Sequence, residues 1–63
     1  MQAITSPVEN STVFVSSSTH NYRIWWNRNG CYWQTDIQTP EYWTYFGQAH
    51  SLIQAMTNIA ITL

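Results

Sequence analysis

Lysine is absent from this sequence, and Arg23 and Arg28 are its only arginines. Charged residues make up 8% of the chain, whereas an average soluble domain has about 25%. Because each phosphate neutralised by a protein needs a lysine or an arginine, two arginines argue against a binder of duplex nucleic acid. So little charge also leaves weak electrostatic protection against self-association.

Cysteine occurs once, at Cys31, which excludes an intramolecular disulfide. No paired cysteine or histidine spacing is present, so the sequence predicts neither a metal site nor a cofactor. The only nucleophile and base that could combine are Cys31 with His20 or His50, and we expect Cys31 to lie half-buried in a hairpin rather than in a reactive site. We therefore expect no enzyme.

The start of the chain shows neither the basic residues nor the apolar run of a secretory signal, so we expect a cytoplasmic protein. Apolar residues make up 44% of the sequence and aromatic residues 16%, which is enough for a hydrophobic core. The length of 63 residues predicts a single small domain over 1–63. Residues 1–10 contain turn-forming residues without a hydrophobic period, so they are interpreted as an N-terminal arm.

The strongest local signal is Asn29-Gly30, a pair typical of a two-residue type I′ turn. It predicts a hairpin of strands 22–28 and 31–38, and the register of this hairpin places Arg23 opposite Asp36. A further strand is predicted near 12–17, where β-branched and aromatic residues precede a polar cluster.

The alternation of side chains in this register gives two faces. The expected core face consists of Tyr22, Ile24, Trp26, Cys31, Trp33, Thr35 and Ile37. The opposite face consists of Arg23, Trp25, Asn27, Tyr32, Gln34 and Asp36. Trp25 and Tyr32 are diagonal neighbours there, and we expect them to form one flat apolar patch.

A C-terminal helix is predicted from about Gln48, because its apolar residues follow a period of 3.6. We expect its core side, with Leu52, Ile53, Met56, Ile59 and Ala60, to meet Ile24, Trp26, Trp33 and Ile37. Residues 42–46 fit either a strand or an earlier start of the helix at Thr39-Pro40, and the sequence leaves both open. Residues 42–63 carry no Asp, Glu, Lys or Arg, but polar residues spaced by four favour an amphipathic helix over a membrane span.

These elements predict an α+β domain in which a small antiparallel meander of about three strands packs against one C-terminal helix. The core is small for an isolated chain of this length, so we expect a homodimer or another homo-oligomer.

The sequence predicts an aromatic face but no metal site and no catalytic nucleophile. This combination favours a small non-catalytic protein-binding factor, such as an adaptor, an assembly subunit or a phage-type inhibitor. Its candidate partner-binding residues are Trp25, Tyr32, Arg23, Asn27, Gln34 and Trp43. The alternatives are single-stranded nucleic-acid or glycan binding by aromatic stacking, and a membrane-associated small subunit.

Overall fold

The computed structural model describes residues 12–62 as an antiparallel sheet with one helix on one of its faces. The strands follow chain order as a meander, and the helix comes last. The elements are β1 (Val13–Ser16), β2 (Asn21–Asn27), β3 (Tyr32–Gln38), β4 (Trp43–Ala49) and α1 (Leu52–Ala60). The predicted α+β class is confirmed, with four strands where about three were expected. The N-terminal arm predicted for 1–10 lies outside the described residues.

The register of the β2–β3 hairpin is confirmed, with Arg23 opposite Asp36. The turn differs from the prediction, because a four-residue loop, 28–31, joins the strands. Its only residue with positive φ is Cys31, at 58°. The side chain of Asn27 accepts hydrogen bonds from the backbone N–H groups of Asn29 and Gly30, which stabilises the wider loop. A four-residue loop centred on the same pair preserves the register.

The segment 42–46, which the sequence left open, belongs to the loop before β4 and to β4 itself. Thr39 closes the β3–β4 turn through hydrogen bonds with the backbone of Tyr42, so it does not cap a helix. The helix begins at Leu52 rather than near Gln48, because Ser51 is its N-cap and accepts a hydrogen bond from the Gln54 N–H.

The core lies between the sheet and α1. Its buried apolar residues within 12–62 are Tyr22, Ile24, Trp33, Ala49, Ala55 and Ile59. Trp26 and Ile37 are partly buried against this cluster, as is Leu52. The Trp26 and Trp33 rings meet edge to face, with centroids 5.4 Å apart.

The expected core side of the helix is partly wrong, because Ile53, Met56 and Ala60 are exposed while Ala55 is buried. The apolar residues of α1 cover more than one side of the helix, so periodicity alone did not fix its rotation. A small side chain at position 55 lets the helix approach a sheet face already filled by aromatic rings. In the part of the chain that the structure describes, no helix is long and apolar enough to cross a membrane.

Candidate functional site

The side of the sheet opposite α1 carries all six residues that the sequence proposed for partner binding. We call it the outer face and define it by Phe14, Arg23, Trp25, Asn27, Tyr32, Gln34, Asp36, Trp43, Tyr45 and Gln48. Phe14 is 69% exposed and Tyr45 is 53% exposed. Within residues 12–62 no helix or further strand packs on this side. The outer face is therefore an aromatic surface that the described part of the fold leaves uncovered.

The centre of the outer face is the carboxylate of Asp36, a residue that is only 3% exposed. Its Oδ2 accepts hydrogen bonds from Arg23 Nε and from Trp25 Nε1, both at 2.8 Å. Its Oδ1 accepts a third, from Gln34 Nε2 at 2.7 Å. A buried carboxylate is tolerated only when it is paired in this way. Asp36 thus fixes the orientation of three side chains at once.

Opposing effects set the pKa of Asp36. Burial raises the pKa of this carboxyl, whereas the hydrogen bonds from Gln34, Arg23 and Trp25, together with the charge of Arg23, lower it. The lowering effects are larger in total, so the pKa lies below its ordinary value of 3.8. Near neutral pH the carboxylate is charged and compensates the charge of Arg23, which leaves the centre of the outer face neutral.

An aromatic cluster surrounds Arg23. The Trp43 ring reaches over it, with the guanidinium carbon 4.7 Å from the ring centroid, a cation–π distance. The rings of Trp43 and Phe14 are tilted, with centroids 6.4 Å apart. Beside them is a shallow hollow of about 360 Å³, lined by Thr12, Phe14, Arg23 and Trp25. Arginine framed by aromatic rings is a combination enriched at binding hot spots.

At the hairpin end of the outer face, amide and hydroxyl groups form a second cluster. Asn27 Nδ2 donates to Tyr32 Oη at 3.2 Å and to Gln34 Oε1 at 3.1 Å. The Tyr32 ring lies directly over Gly30, where an added Cβ would overlap it. Tyr32 is therefore held by the turn below it and by the neighbouring amides.

The sequence analysis missed Phe14, Tyr45 and Gln48 as members of the outer face. Alternation along β1 could have identified Phe14, since Val13 and Val15 pack against the core. The position of Tyr45 on the outer face was harder to predict. The pairing of β3 with β4 contains a β-bulge, because the register shifts between Thr35 and Asp36. The bulge changes the alternation, so that Tyr45 and Trp43 lie on the outer face.

The groups considered for catalysis are not brought together. The expected half-buried position of Cys31 on the core face is wrong, because Cys31 is exposed in the turn, with Sγ 3.6 Å from the Arg28 carbonyl oxygen. The His20 ring is hydrogen-bonded to the side chain of its neighbour Thr19. Among the described residues no group of three metal-ligating side chains occurs. A hollow of about 600 Å³ is lined by residues 17–21 and 38–40, at the ends of the strands and in the turns between them. The outer face can therefore bind a ligand by aromatic stacking and by hydrogen bonding.

Searches of family models, of curated proteins and of solved structures find no match to this chain.

Proposed function

We propose that this protein is a non-catalytic binding factor, an adaptor, assembly subunit or inhibitor, whose outer face docks on a partner protein. The observation that carries the proposal is the aromatic surface that residues 12–62 leave uncovered, arranged around one buried, neutralised carboxylate. The proposed setting is the cytoplasm, on the basis of the sequence.

Preorganisation supports this function. Arg23, Trp25 and Gln34 are already held by Asp36, so binding would immobilise few additional rotamers. The entropy lost by ordering side chains is one of the main costs of association. Phe14 and Tyr45, which are exposed on either side of this fixed centre, supply apolar area for the contact. Aromatic residues and arginine are enriched at the hot spots of protein interfaces.

Charge favours a protein over a nucleic acid as the partner. Arg23 is paired with Asp36 at 2.8 Å, so the outer face has no net positive potential to attract a phosphate backbone. A single-strand binder combines its stacking rings with a positive groove. The neutral, polar-aromatic surface matches an uncharged patch on another protein better.

Glycan binding is the second candidate, favoured by the hollow beside Trp25. Sugar rings stack on aromatic faces, and their hydroxyl groups bond to planar amides. The hollow is near the lower limit of about 300 Å³ for small-molecule sites, so it would hold about one sugar residue.

The experiment is affinity capture from lysate of the source cells, with wild type, Tyr45→Ala and Tyr42→Ala compared side by side. Tyr42 is the matched control, because it is 62% exposed but lies in the loop before β4. Each eluate is analysed for protein, nucleic acid and glycan. A parallel capture at higher salt separates apolar from phosphate contacts, since only the latter weaken steeply.

We expect one protein band that survives nuclease and salt, falls at least about ten-fold with Tyr45→Ala and persists with Tyr42→Ala. Circular dichroism verifies that both variants fold. Equal capture by all three proteins would refute the role of the outer face. Capture that nuclease abolishes would replace the proposal with nucleic-acid binding, and release by free sugars would replace it with glycan binding.

A further inference from the structure

A second exposed surface lies on α1, on a flank of the helix next to the side that packs on the sheet. Ile53 is 77% exposed and Met56 45%, and Ala60 is exposed beside them. We call these three residues the helix stripe. Single exposed apolar residues are ordinary, but a contiguous apolar strip marks a contact surface.

The spacing within the helix stripe is that of a helix–helix interface. Ile53, Met56 and Ala60 are separated by three and then four residues, which is the spacing of the core positions in a two-helix coiled coil. Ala60 is small enough to let a second helix approach closely. Ala55 and Ile59, the buried residues of α1, lie on the adjacent side of the helix.

Charge favours a second copy as the occupant. Residues 42–63 carry no Asp, Glu, Lys or Arg, so the helix stripe is complemented by an uncharged apolar surface with the same spacing. The helix stripe of a second copy is such a surface. Antiparallel pairing also places opposite ends of the two helix dipoles together.

We propose that the helix stripe binds the helix stripe of a second copy of this chain, in an antiparallel two-fold dimer. The small monomer core is consistent with this, because only six apolar residues of the described part are buried and two of them are alanines. Dimerisation adds apolar burial that the monomer lacks.

The consequence for the assembly is bivalency. Because α1 packs on the core face of the sheet, the helix and the outer face lie on opposite sides of the sheet. A dimer through α1 would therefore leave both outer faces free. Two linked binding surfaces increase avidity for a repetitive or oligomeric partner. The dimer proposal itself does not depend on the proposed function.

Three side chains on a nine-residue helix bury less than the roughly 800 Å² per partner of a standard interface. We therefore expect a weak dimer, with a dissociation constant of about 10 to 100 µM. Sedimentation velocity of the full chain from about 5 to 500 µM covers this range. The variant is Ile53→Ser, and its matched control is Phe14→Ser on the outer face, a position of similar exposure.

Wild type and Phe14→Ser should shift from monomer to dimer over this range, and Ile53→Ser should weaken the dimer at least ten-fold, the effect of about 1.4 kcal/mol. A monomer at every concentration would overturn the proposal. So would an Ile53→Ser variant that dimerises like wild type, or loss of the dimer in Phe14→Ser, which would place the contact on the sheet.

Cysteine cross-linking in a Cys31→Ser background tests the orientation. Met56 lies near the middle of the helix stripe, so an antiparallel two-fold axis passes close to it. Met56→Cys should form a disulfide-linked dimer under mild oxidation, and Ile53→Cys should not, because its copies lie apart on either side of the axis. Linking of both variants would show parallel helices, and linking of neither would refute pairing through α1.

Discussion

The two exposed surfaces of this small fold differ in how their side chains are held. On the outer face, Asp36 fixes Arg23, Trp25 and Gln34 through three hydrogen bonds of 2.7 to 2.8 Å. On the helix stripe no polar side chain takes part, and the exposed groups are flexible aliphatic ones such as Ile53. Hydrogen bonds have directions and apolar contacts do not. In the function proposed above, the fixed side chains of the outer face would select the partner, and the helix stripe would add contact area in the proposed dimer.

The difference has an energetic counterpart. Removing an exposed apolar group costs the monomer little, because water already contacts it. Removing one member of a buried hydrogen-bonded group leaves the others without partners, which costs more. Mutations should therefore separate the two surfaces by their effect on monomer stability as well as on binding.

The largest effect is expected for Asp36→Ala. It leaves Trp25 Nε1 and part of the Arg23 guanidinium half-buried without an acceptor, so the free energy of unfolding should fall by about 2 to 3 kcal/mol. Ile53→Ser on the helix stripe should change it by less than about 0.5 kcal/mol. Urea denaturation at low protein concentration measures both values. Similar losses in the two variants would show that the surfaces do not differ in this respect.

Replacing either glycine by alanine should change the free energy of unfolding by a smaller amount, and the two changes should have opposite signs. Gly30→Ala would place a methyl group in the Tyr32 ring and displace it, which should cost about 1 to 2 kcal/mol. Gly47→Ala meets no atom within 4 Å and no positive φ, so it should stabilise the fold by about 0.4 to 1 kcal/mol through the unfolded state. Thermal unfolding of both variants gives the sign. A stable Gly30→Ala variant would mean that the Tyr32 ring is not held by the turn.

The smallest effect is the acid dependence of stability. Since the pKa of Asp36 is lowered in the folded state, its charged form stabilises the fold above its unfolded pKa, and this contribution is lost as pH falls through the folded value. Asp36→Asn should flatten the stability curve below about pH 4, where the unfolded carboxyl titrates. Urea midpoints from neutral to acidic pH provide the measurement. An unchanged acid slope in the variant would assign the dependence to other carboxyls.

The hairpin was predictable because its signals are local. Asn29-Gly30 and the alternation around it determined the register and placed Trp25, Tyr32 and Gln34 on one face. The turn type was not predictable from this pair, since it depends on the Asn27 side chain bonding the loop. The predicted two-residue turn and the observed four-residue loop give the same strand pairing, so the predicted register is confirmed.

The later elements depend on contacts that are distant in sequence. A β-bulge at the partners of Thr35 and Asp36 decides which residues of β4 join the outer face, and no local signal marks it. The rotation of α1 depends on which side fits the aromatic core, so a helix with several apolar sides left Ile53 and Met56 wrongly assigned to the core. Tyr45 and the helix stripe emerged only from the folded arrangement.

The central claim is that Asp36 holds the outer face in a fixed arrangement, and the indole N–H of Trp25 reports on it directly. A ¹H–¹⁵N NMR titration follows this signal, with Trp25→Phe to assign it and Asp36→Asn as the control. We predict that the indole proton is protected from solvent exchange and that its shift titrates with a midpoint below 3.8, the ordinary pKa of the carboxyl. An indole that exchanges as fast as in an unfolded chain, with no response to acid or to Asp36→Asn, would contradict the account.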